Sequence, residues 1–251
     1  MRSRSAIALS LLLAACGAAQ PAGTPDGCRS GDGQGHGGHG HGPGHGAEGV
    51  AHHGDGRGGM VHDFSDVARF EQMFDAPDRD GWQRPVEVVS LLGLTPGETA
   101  IDLGAGTGYF LPFLAVAVGA TGRVLALDSE PAMVEHVQQR AAREGLANVE
   151  ARAVTATDAG LAPASADAIL IVDTWHHLPD RAAYGARLRD ALRPGGSLVV
   201  VDFTRESPQG PPAQHRIAED TVVAELEAAG LAAEVVPESL PHQYVVRATR
   251  R

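Results

Sequence analysis

The stretch Thr99-Ala100-Ile101-Asp102-Leu103-Gly104-Ala105-Gly106-Thr107-Gly108 contains the pattern that decides the fold. Its first half is a short apolar run with one carboxylate, which is typical of a buried parallel strand. Three alternating glycines follow, and an apolar helical segment begins at Tyr109. A strand, a glycine-rich turn and a helix in this order form a nucleotide-binding corner. Glycine suits such a turn because the backbone there needs conformations that other residues resist.

A second carboxylate follows this turn at the distance in sequence that is typical of a ribose-binding residue. The next predicted strand, residues 124–128, ends on Asp128, about 20 residues after Gly108. An acidic side chain at that place can accept hydrogen bonds from both ribose hydroxyls. The dinucleotide fingerprint is GxGxxG, and the third glycine of this turn comes one residue too early for it. The pattern therefore favours a nucleoside-containing ligand other than a dinucleotide.

Further motifs follow in a fixed order. The turn after the fourth predicted strand is Thr174-Trp175-His176-His177-Leu178-Pro179-Asp180, and Leu192-Arg193-Pro194-Gly195-Gly196 precedes the fifth strand. Together with the pattern Asp102-x-Gly104-x-Gly106-x-Gly108 and with Asp128, these motifs resemble those of the class I S-adenosylmethionine (SAM)-dependent methyltransferases. The histidine turn is similar to that of small-molecule methyltransferases, including those of quinone biosynthesis. The resemblance covers about residues 80–250.

The resemblance implies an α/β fold over residues 63–251. We expect a Rossmann-like sheet of seven mostly parallel strands, with an antiparallel last strand and helices on both faces. Two helices, over residues 64–74 and 85–92, are predicted to precede the sheet and to lie across its cofactor mouth. Residues 232–236 and 244–248 are predicted to form the closing hairpin.

The resemblance also implies SAM as the cofactor and assigns the residues around it. The expected SAM-binding residues are Asp102, Gly104, Ala105, Gly106, Gly108, Asp128, Ser129 and, for the adenine amine, Asp158. The catalytic candidates follow strands four and five, and we rank His176, His177 and Asp173 above Asp202. Imidazole titrates near neutral pH, so either histidine could act as a general base, or both could be structural turn residues. Trp82 and Gln83 are candidates for part of a lid.

The first 16 residues are predicted to be an export signal. Two arginines precede an apolar run of about ten residues, which is too short to cross a bilayer as a helix of roughly 20 residues. The run ends in Leu13-Ala14-Ala15-Cys16, which resembles the bacterial lipobox, in which the cysteine becomes lipidated. We therefore expect an exported protein that is anchored through Cys16 to a bacterial membrane, in the periplasm or on the outer surface.

Residues 17–62 are predicted to be a disordered tether, because they are rich in glycine and lack apolar periodicity. Neutral imidazole is a good ligand for Zn²⁺, Cu²⁺ and Ni²⁺. The irregular histidine spacing indicates weak, adaptable metal binding, with a purely polar linker as the alternative. The candidate metal ligands are His36, His39, His41, His45, His52 and His53.

The net charge and the cysteine content exclude some classes of substrate. The net charge of −11 argues against a nucleic-acid-binding surface, which needs clustered cations. The two cysteines provide neither a disulfide framework nor the thiol triad that an arsenic substrate would need. We therefore predict a SAM-dependent methyltransferase that acts on a small-molecule acceptor. The alternative is an exported, non-catalytic ligand- or metal-binding lipoprotein that retains the methyltransferase fold.

Overall fold

The computed structural model describes residues 66–251, which form a seven-stranded sheet between two layers of helices. The strands are β1 Thr99–Leu103, β2 Arg123–Asp128, β3 Val149–Ala153, β4 Ala166–Val172, β5 Leu192–Phe203, β6 Ala232–Val236 and β7 Gln243–Thr249. The helices are α1 Val67–Phe74, α2 Arg79–Gln83, α3 Pro85–Ser90, α4 Leu111–Val118, α5 Pro131–Glu144, α6 Arg181–Ala191 and α7 Glu219–Ala228. Short 3₁₀ turns lie at Trp175–His177 and Ala213–His215.

The strand order is β3-β2-β1-β4-β5-β7-β6. Strands β1 to β5 pair in parallel, and β7 is antiparallel to both of its neighbours. The predicted sheet and its closing hairpin are therefore confirmed. The order reverses between β1 and β4, and ligands of open α/β sheets bind outside the carboxyl ends of the strands at such a switch point.

Alternate residues of the central strands point into two separate cores, as expected for a sheet that is covered on both sides. Ile101 and Ile169 pack with the side chains of α6 and α7. Ala100 and Ala168 face the opposite layer, where α3 and α4 lie. The central strands are thus buried on both faces, and only their ends remain for function.

The segment before β1 differs from the prediction. Helix α1 begins at Val67, where Asp66 accepts a hydrogen bond from the Arg69 N–H at 3.2 Å. The predicted start at Phe64 lies outside the described residues, as do residues 1–16 and the tether over 17–62. The five-residue helix α2 was not predicted as a helix. Its ends Arg79 and Gln83 are both buried, so contacts with the rest of the fold stabilise it.

None of the helices between residues 66 and 251 has the length and apolar character that a membrane crossing requires.

Candidate functional site

The three glycines after β1 all have left-handed backbones, with φ values of 76°, 53° and 83° at Gly104, Gly106 and Gly108. A Cβ on Gly104 would overlap the Thr174 side chain, and one on Gly108 would meet Leu111 at 2.7 Å. These two glycines are therefore required by packing within the protein. A Cβ on Gly106 would make only an ordinary contact, at 3.6 Å from Phe74. Gly106 is thus the glycine that leaves room for a ligand.

Asp128 joins the end of β2 to this turn. Its Oδ2 accepts a hydrogen bond from the Gly106 N–H at 2.8 Å, and its Oδ1 accepts one from the Glu130 N–H at 2.9 Å. The N–H groups of Gly104 and Ala105 both donate to the Leu127 carbonyl, which fixes the turn against β2. Burial raises the pKa of the Asp128 carboxyl, and the backbone donors oppose that rise.

Two further SAM-binding candidates differ in their surroundings. Ser129 is exposed beside Asp128. Asp158 is also exposed, and its carboxylate accepts a hydrogen bond from the Gly160 N–H at 2.8 Å within its own turn. It lines a separate cavity of about 250 Å³ with Leu161 and Arg187. The adenine-binding role of Asp158 stays a prediction.

Asp102 has no hydrogen-bond donor to its side chain among the described residues, although it is only 3% exposed. Burial, together with the negative charge of Asp128, raises its pKa to about 7, and the charge of Arg79 opposes this rise. Ionising a largely buried carboxyl that receives no hydrogen bond from the protein is costly for a folded protein. Its position at the carboxyl end of β1 indicates a place for a cationic or hydrogen-donating ligand group.

Arg79 provides a positive charge near Asp102. Its guanidinium lies 3.9 Å from the Tyr109 ring centroid, and its Nη1 donates to the Phe74 carbonyl at 2.6 Å. Its Nε and Nη2 donate to Gln83 Oε1 at 3.3 and 3.0 Å. Each terminal nitrogen carries two N–H groups, so each keeps one N–H for a ligand. Burial lowers the pKa of Arg79, and Asp173, Tyr109, Asp75 and Asp102 oppose that effect.

A buried pair lies at the ends of β4 and β5. His176 Nδ1 is 2.9 Å from Asp202 Oδ2, and the two side chains are 3% and 0% exposed. Burial disfavours the charged imidazolium, but the hydrogen bond from His176 to Asp202 and the charges of Asp202 and Asp173 outweigh it, so the pKa of His176 is raised. The His177 ring lies 4.1 Å from the His176 ring. The structure thus brings His176 and Asp202 together, a pairing that the sequence alone did not predict.

Asp173 immediately follows β4 and has an unusual backbone, with φ of 51°. Its Oδ1 accepts a hydrogen bond from Gln243 Nε2 at 2.8 Å. Burial and the neighbouring charge of Asp202 raise its pKa to about 7, against the effect of Arg79. A non-glycine residue with a left-handed backbone is strained, and such strain clusters at functional sites.

Contacts with helix α7 hold the turn that carries the two histidines. Trp175 is fully buried, and its Nε1–H donates to Glu225 at 2.8 Å. Arg181 forms an ion pair with the same carboxylate, also at 2.8 Å. Helix α7 therefore holds the turn that carries His176.

Aromatic rings and an ordered loop form the wall next to β5. The Trp82 ring lies 6.2 Å from Phe203 and 6.3 Å from His242. Gly210 packs directly against the Phe203 ring, where no Cβ would fit. One guanidinium, that of Arg216, orders this loop by donating to the carbonyls of Thr204, Arg205, Ser207, Gln209 and Pro211.

Within residues 66–251, no three histidine, cysteine or acidic side chains are grouped as a metal site. The predicted metal ligands His36, His39, His41, His45, His52 and His53 lie outside the described residues.

Comparisons with known proteins agree with this architecture. Residues 100–196 match the family model described as a methyltransferase domain. A SAM-dependent methyltransferase from Aquifex aeolicus has a crystal structure that is 29% identical to this chain, with a TM-score of 0.70, and it covers 76% of this chain and 100% of its own. Residues 100–196 therefore match a methyltransferase domain, and the fold as a whole is similar to that of a SAM-dependent methyltransferase.

Two curated relatives are similar to just under half of this chain. A ubiquinone/menaquinone biosynthesis C-methyltransferase from Hydrogenovibrio crunogenus is 29% identical over 125 residues, which are 49% of this chain and 48% of that protein. An arsenite methyltransferase from Halobacterium salinarum is 28% identical over 115 residues, or 46% of this chain and 29% of that protein. The chain therefore spans half or less of the length of these relatives.

The residues at the ends of β1 and β2 fit SAM on their own geometry. The buried carboxylate of Asp102 suits the amine of the cofactor's methionine part, and the remaining N–H groups of Arg79 suit its carboxylate. The space beside Gly106, which the Phe74 ring bounds, and the remaining acceptor capacity of Asp128 suit the ribose. Complementary groups are thus present for both charges of an amino-acid end.

The state of Asp102 leads to a prediction about stability. A raised pKa in the folded state means that its stabilising contribution is present below the unfolded pKa and is lost as pH rises through about 7. We therefore expect Asp102→Asn to raise the free energy of unfolding at pH 8 by about 1–4 kcal/mol, and to change it little near pH 4. Urea unfolding at the two pH values measures this.

Asp128→Asn is the matched control for this measurement. Asp128 uses both carboxylate oxygens as acceptors, and an amide nitrogen cannot replace one of them, so the lost hydrogen bond should leave this variant less stable than Asp102→Asn at pH 8. An Asp102→Asn protein that is no more stable than the wild type at pH 8 would contradict the assignment of a buried carboxylate without a donor.

Proposed function

We propose that this protein transfers a methyl group from SAM to a small-molecule acceptor. The observation that carries the proposal is the arrangement around Gly106, with the buried carboxylate of Asp102 and the buried guanidinium of Arg79 as complementary partners for an amino-acid end. The wall of Trp82, Phe203 and His242 supports an organic acceptor that can contact aromatic rings.

The type of acceptor is supported by the histidine turn and by the relatives. Residues 174–180 are similar to the turn of quinone-biosynthesis enzymes, and one relative bears such a name. Another relative is named for arsenite, which is a thiol-binding substrate. The cysteines of this chain are Cys16 and Cys28, both far along the chain from the methyltransferase domain. We therefore favour an organic acceptor of the quinone-biosynthesis type over arsenite.

When bound, SAM supplies an electrophilic methyl group on a sulfonium. The protein's part is to orient the two reactants and to take a proton where the acceptor must lose one. Asp128 would hold the ribose hydroxyls, Asp102 the amine and Arg79 the carboxylate. Each of these side chains is already fixed by its strand or helix, so little ordering remains to be done on binding.

His176 is our candidate for the proton acceptor. Its Nδ1 is engaged by Asp202, which directs the proton of the neutral ring to Nδ1 and leaves Nε2 to accept another. The carboxylate of Asp202 then stabilises the imidazolium that forms. Asp173, with one oxygen held by Gln243, can accept a hydrogen bond from the acceptor through the other.

Calorimetric titration with SAM and S-adenosylhomocysteine tests the cofactor assignment. Asp128→Ala should weaken both ligands by about tenfold or more, because it removes hydrogen bonds to a charged group that are worth roughly 1.5–3 kcal/mol each. Both ligands should weaken alike, since they share the ribose. Glu150→Ala, which removes an exposed carboxylate paired with Arg123 on the sheet surface, should change neither affinity.

The SAM assignment fails if the wild type binds neither ligand, or if Asp128→Ala binds both as tightly as the wild type does.

We also propose that the protein is exported and anchored through Cys16. The support is the sequence alone: basic residues, a short apolar run and the lipobox-like Leu13-Ala14-Ala15-Cys16. Several acyl chains on one cysteine would give stable anchoring, since each buried CH₂ contributes about 0.8 kcal/mol.

Replacing Cys16 by Ser should move the protein from the membrane fraction of a bacterial host to the soluble fraction. The change removes the thiol to which lipid is attached, and a change of a leucine in the run, such as Leu9→Val, should leave the protein on the membrane. A Cys16→Ser protein that remains with the membrane would rule out the lipid anchor.

The histidine-rich tether is proposed to bind divalent metal ions weakly, separately from methyl transfer. Deleting residues 29–62 should abolish most retention on immobilised Ni²⁺ or Cu²⁺ and leave the affinity for S-adenosylhomocysteine unchanged. If the truncated protein is retained as strongly as the full chain, metal binding resides elsewhere.

A further inference from the structure

A chain of buried hydrogen bonds runs from helix α2 across to the end of β4. Arg79 donates to Gln83 Oε1, Gln83 Nε2 donates to Gln243 Oε1 at 2.6 Å, and Gln243 Nε2 donates to Asp173 Oδ1 at 2.8 Å. The two glutamines are 0% and 1% exposed. Residues more than 150 positions apart in sequence therefore share one polar chain inside the protein.

Arg79 and Asp173, at the two ends of this series of hydrogen bonds, determine which way each glutamine amide points. Arginine only donates, so the oxygen of Gln83 must face Arg79 and its nitrogen must face Gln243. The oxygen of Gln243 then faces Gln83, and its nitrogen is directed at Asp173. An ionised carboxylate only accepts, so the last bond agrees with the first. Buried polar networks of this kind are stable only when every member is satisfied.

This series of hydrogen bonds holds helix α2 at the entrance through which a ligand would reach the site. This five-residue helix carries Arg79 and Trp82, and Phe74, which lies over Gly106, accepts a hydrogen bond from Arg79. We propose that Gln83 and Gln243 are positioning residues that lock α2 over the mouth of the site by tying it to Asp173. The lock does not depend on which ligand enters the mouth.

Trypsin offers a direct measure of the lock. The bond between Arg79 and Asp80 can be cut only after the enclosed Arg79 side chain leaves its contacts, that is, after α2 opens. The Arg205–Glu206 bond serves as an internal reference in the same digest, because its loop is exposed here and is held by Arg216 and not by a hydrogen bond to α2. The ratio of the two initial cutting rates, measured by mass spectrometry, reports the opening of α2.

Gln83→Leu and Gln243→Leu should each raise this ratio about tenfold, because each leaves buried polar partners unsatisfied. Ser197→Ala is the matched control. It removes a buried hydrogen bond, from Ser197 Oγ to the Leu92 carbonyl at 2.6 Å, at the opposite end of β5. This variant should keep the wild-type ratio. Gln83 lies outside the sheet, so Gln83→Leu remains informative if Gln243→Leu fails to fold.

Gln243→Glu distinguishes a directional lock from simple packing. In this variant a protonated carboxyl could accept from Gln83 and donate to Asp173, as the amide does, whereas an ionised one would repel Asp173. The cutting ratio should be close to the wild type at about pH 6 and rise about tenfold by about pH 8.5, because burial beside a carboxylate raises the pKa of a glutamate. Gln243→Leu should give a high ratio at both pH values.

Other charged and titratable groups surround this position, so each ratio is compared with that of the wild type at the same pH. They are Asp173 and His176 after β4, Asp202 on β5, Asp102 on β1, Arg79 on α2 and Tyr109 before α4.

Wild-type cutting ratios in both leucine variants would overturn the lock, as would identical profiles for Gln243→Glu and Gln243→Leu. The affinity for S-adenosylhomocysteine separates this proposal from the proposed function. Opening α2 should weaken that ligand, because Arg79 leaves the site. If the wild type does not bind it while the cutting ratios behave as expected, the cofactor assignment fails and the lock stands.

Discussion

Asp102 is the penultimate residue of β1, is only 3% exposed and accepts no side-chain hydrogen bond from another residue between 66 and 251. The surrounding structure maintains this arrangement through the parallel strands on either side and through the packing of Thr174 on Gly104, which joins the loops after β1 and β4. Burial raises the pKa of this carboxyl to about 7, so ionising it costs stability, and native proteins keep such features mainly where a ligand makes use of them. The nearby guanidinium of Arg79 makes the arrangement complementary to a zwitterion.

The site combines residues from distant parts of the chain. Strands β1 and β2 hold the cofactor side, whereas the ends of β4 and β5 hold Asp173, His176 and Asp202 on the side proposed for the acceptor. Helix α2 lies outside these strands, yet it contributes Arg79 to the cofactor side. It also contacts the acceptor side through Gln83. Closure of the mouth and the placement of Asp173 are thereby parts of one hydrogen-bonded arrangement.

The fold was largely predictable from the sequence because its signals are local. The apolar runs of the strands, the glycines with left-handed backbones and the position of Asp128 all depend on neighbours within a few residues. The predicted strand over residues 124–128 agrees with β2 to within one residue, and the closing hairpin was predicted to within two residues at each end. The missing parts of the site depend on long-range contacts. Helix α2 has the sequence Arg-Asp-Gly-Trp-Gln, which has no apolar periodicity and contains a glycine. Nothing local marks Arg79 as a site residue, and Gln243 looks like an ordinary strand residue until β7 is placed beside β5. The pairing of His176 with Asp202 required knowing that the turn after β4 lies against the end of β5.

A crystal structure of the protein with S-adenosylhomocysteine would test the role of Asp102 most directly. We predict that the ligand's amine lies within hydrogen-bond distance of the Asp102 carboxylate and that its carboxylate contacts the Arg79 guanidinium, with the ribose at Asp128. A complex in which the amino-acid end lies away from both Asp102 and Arg79 would contradict the proposed binding of the cofactor.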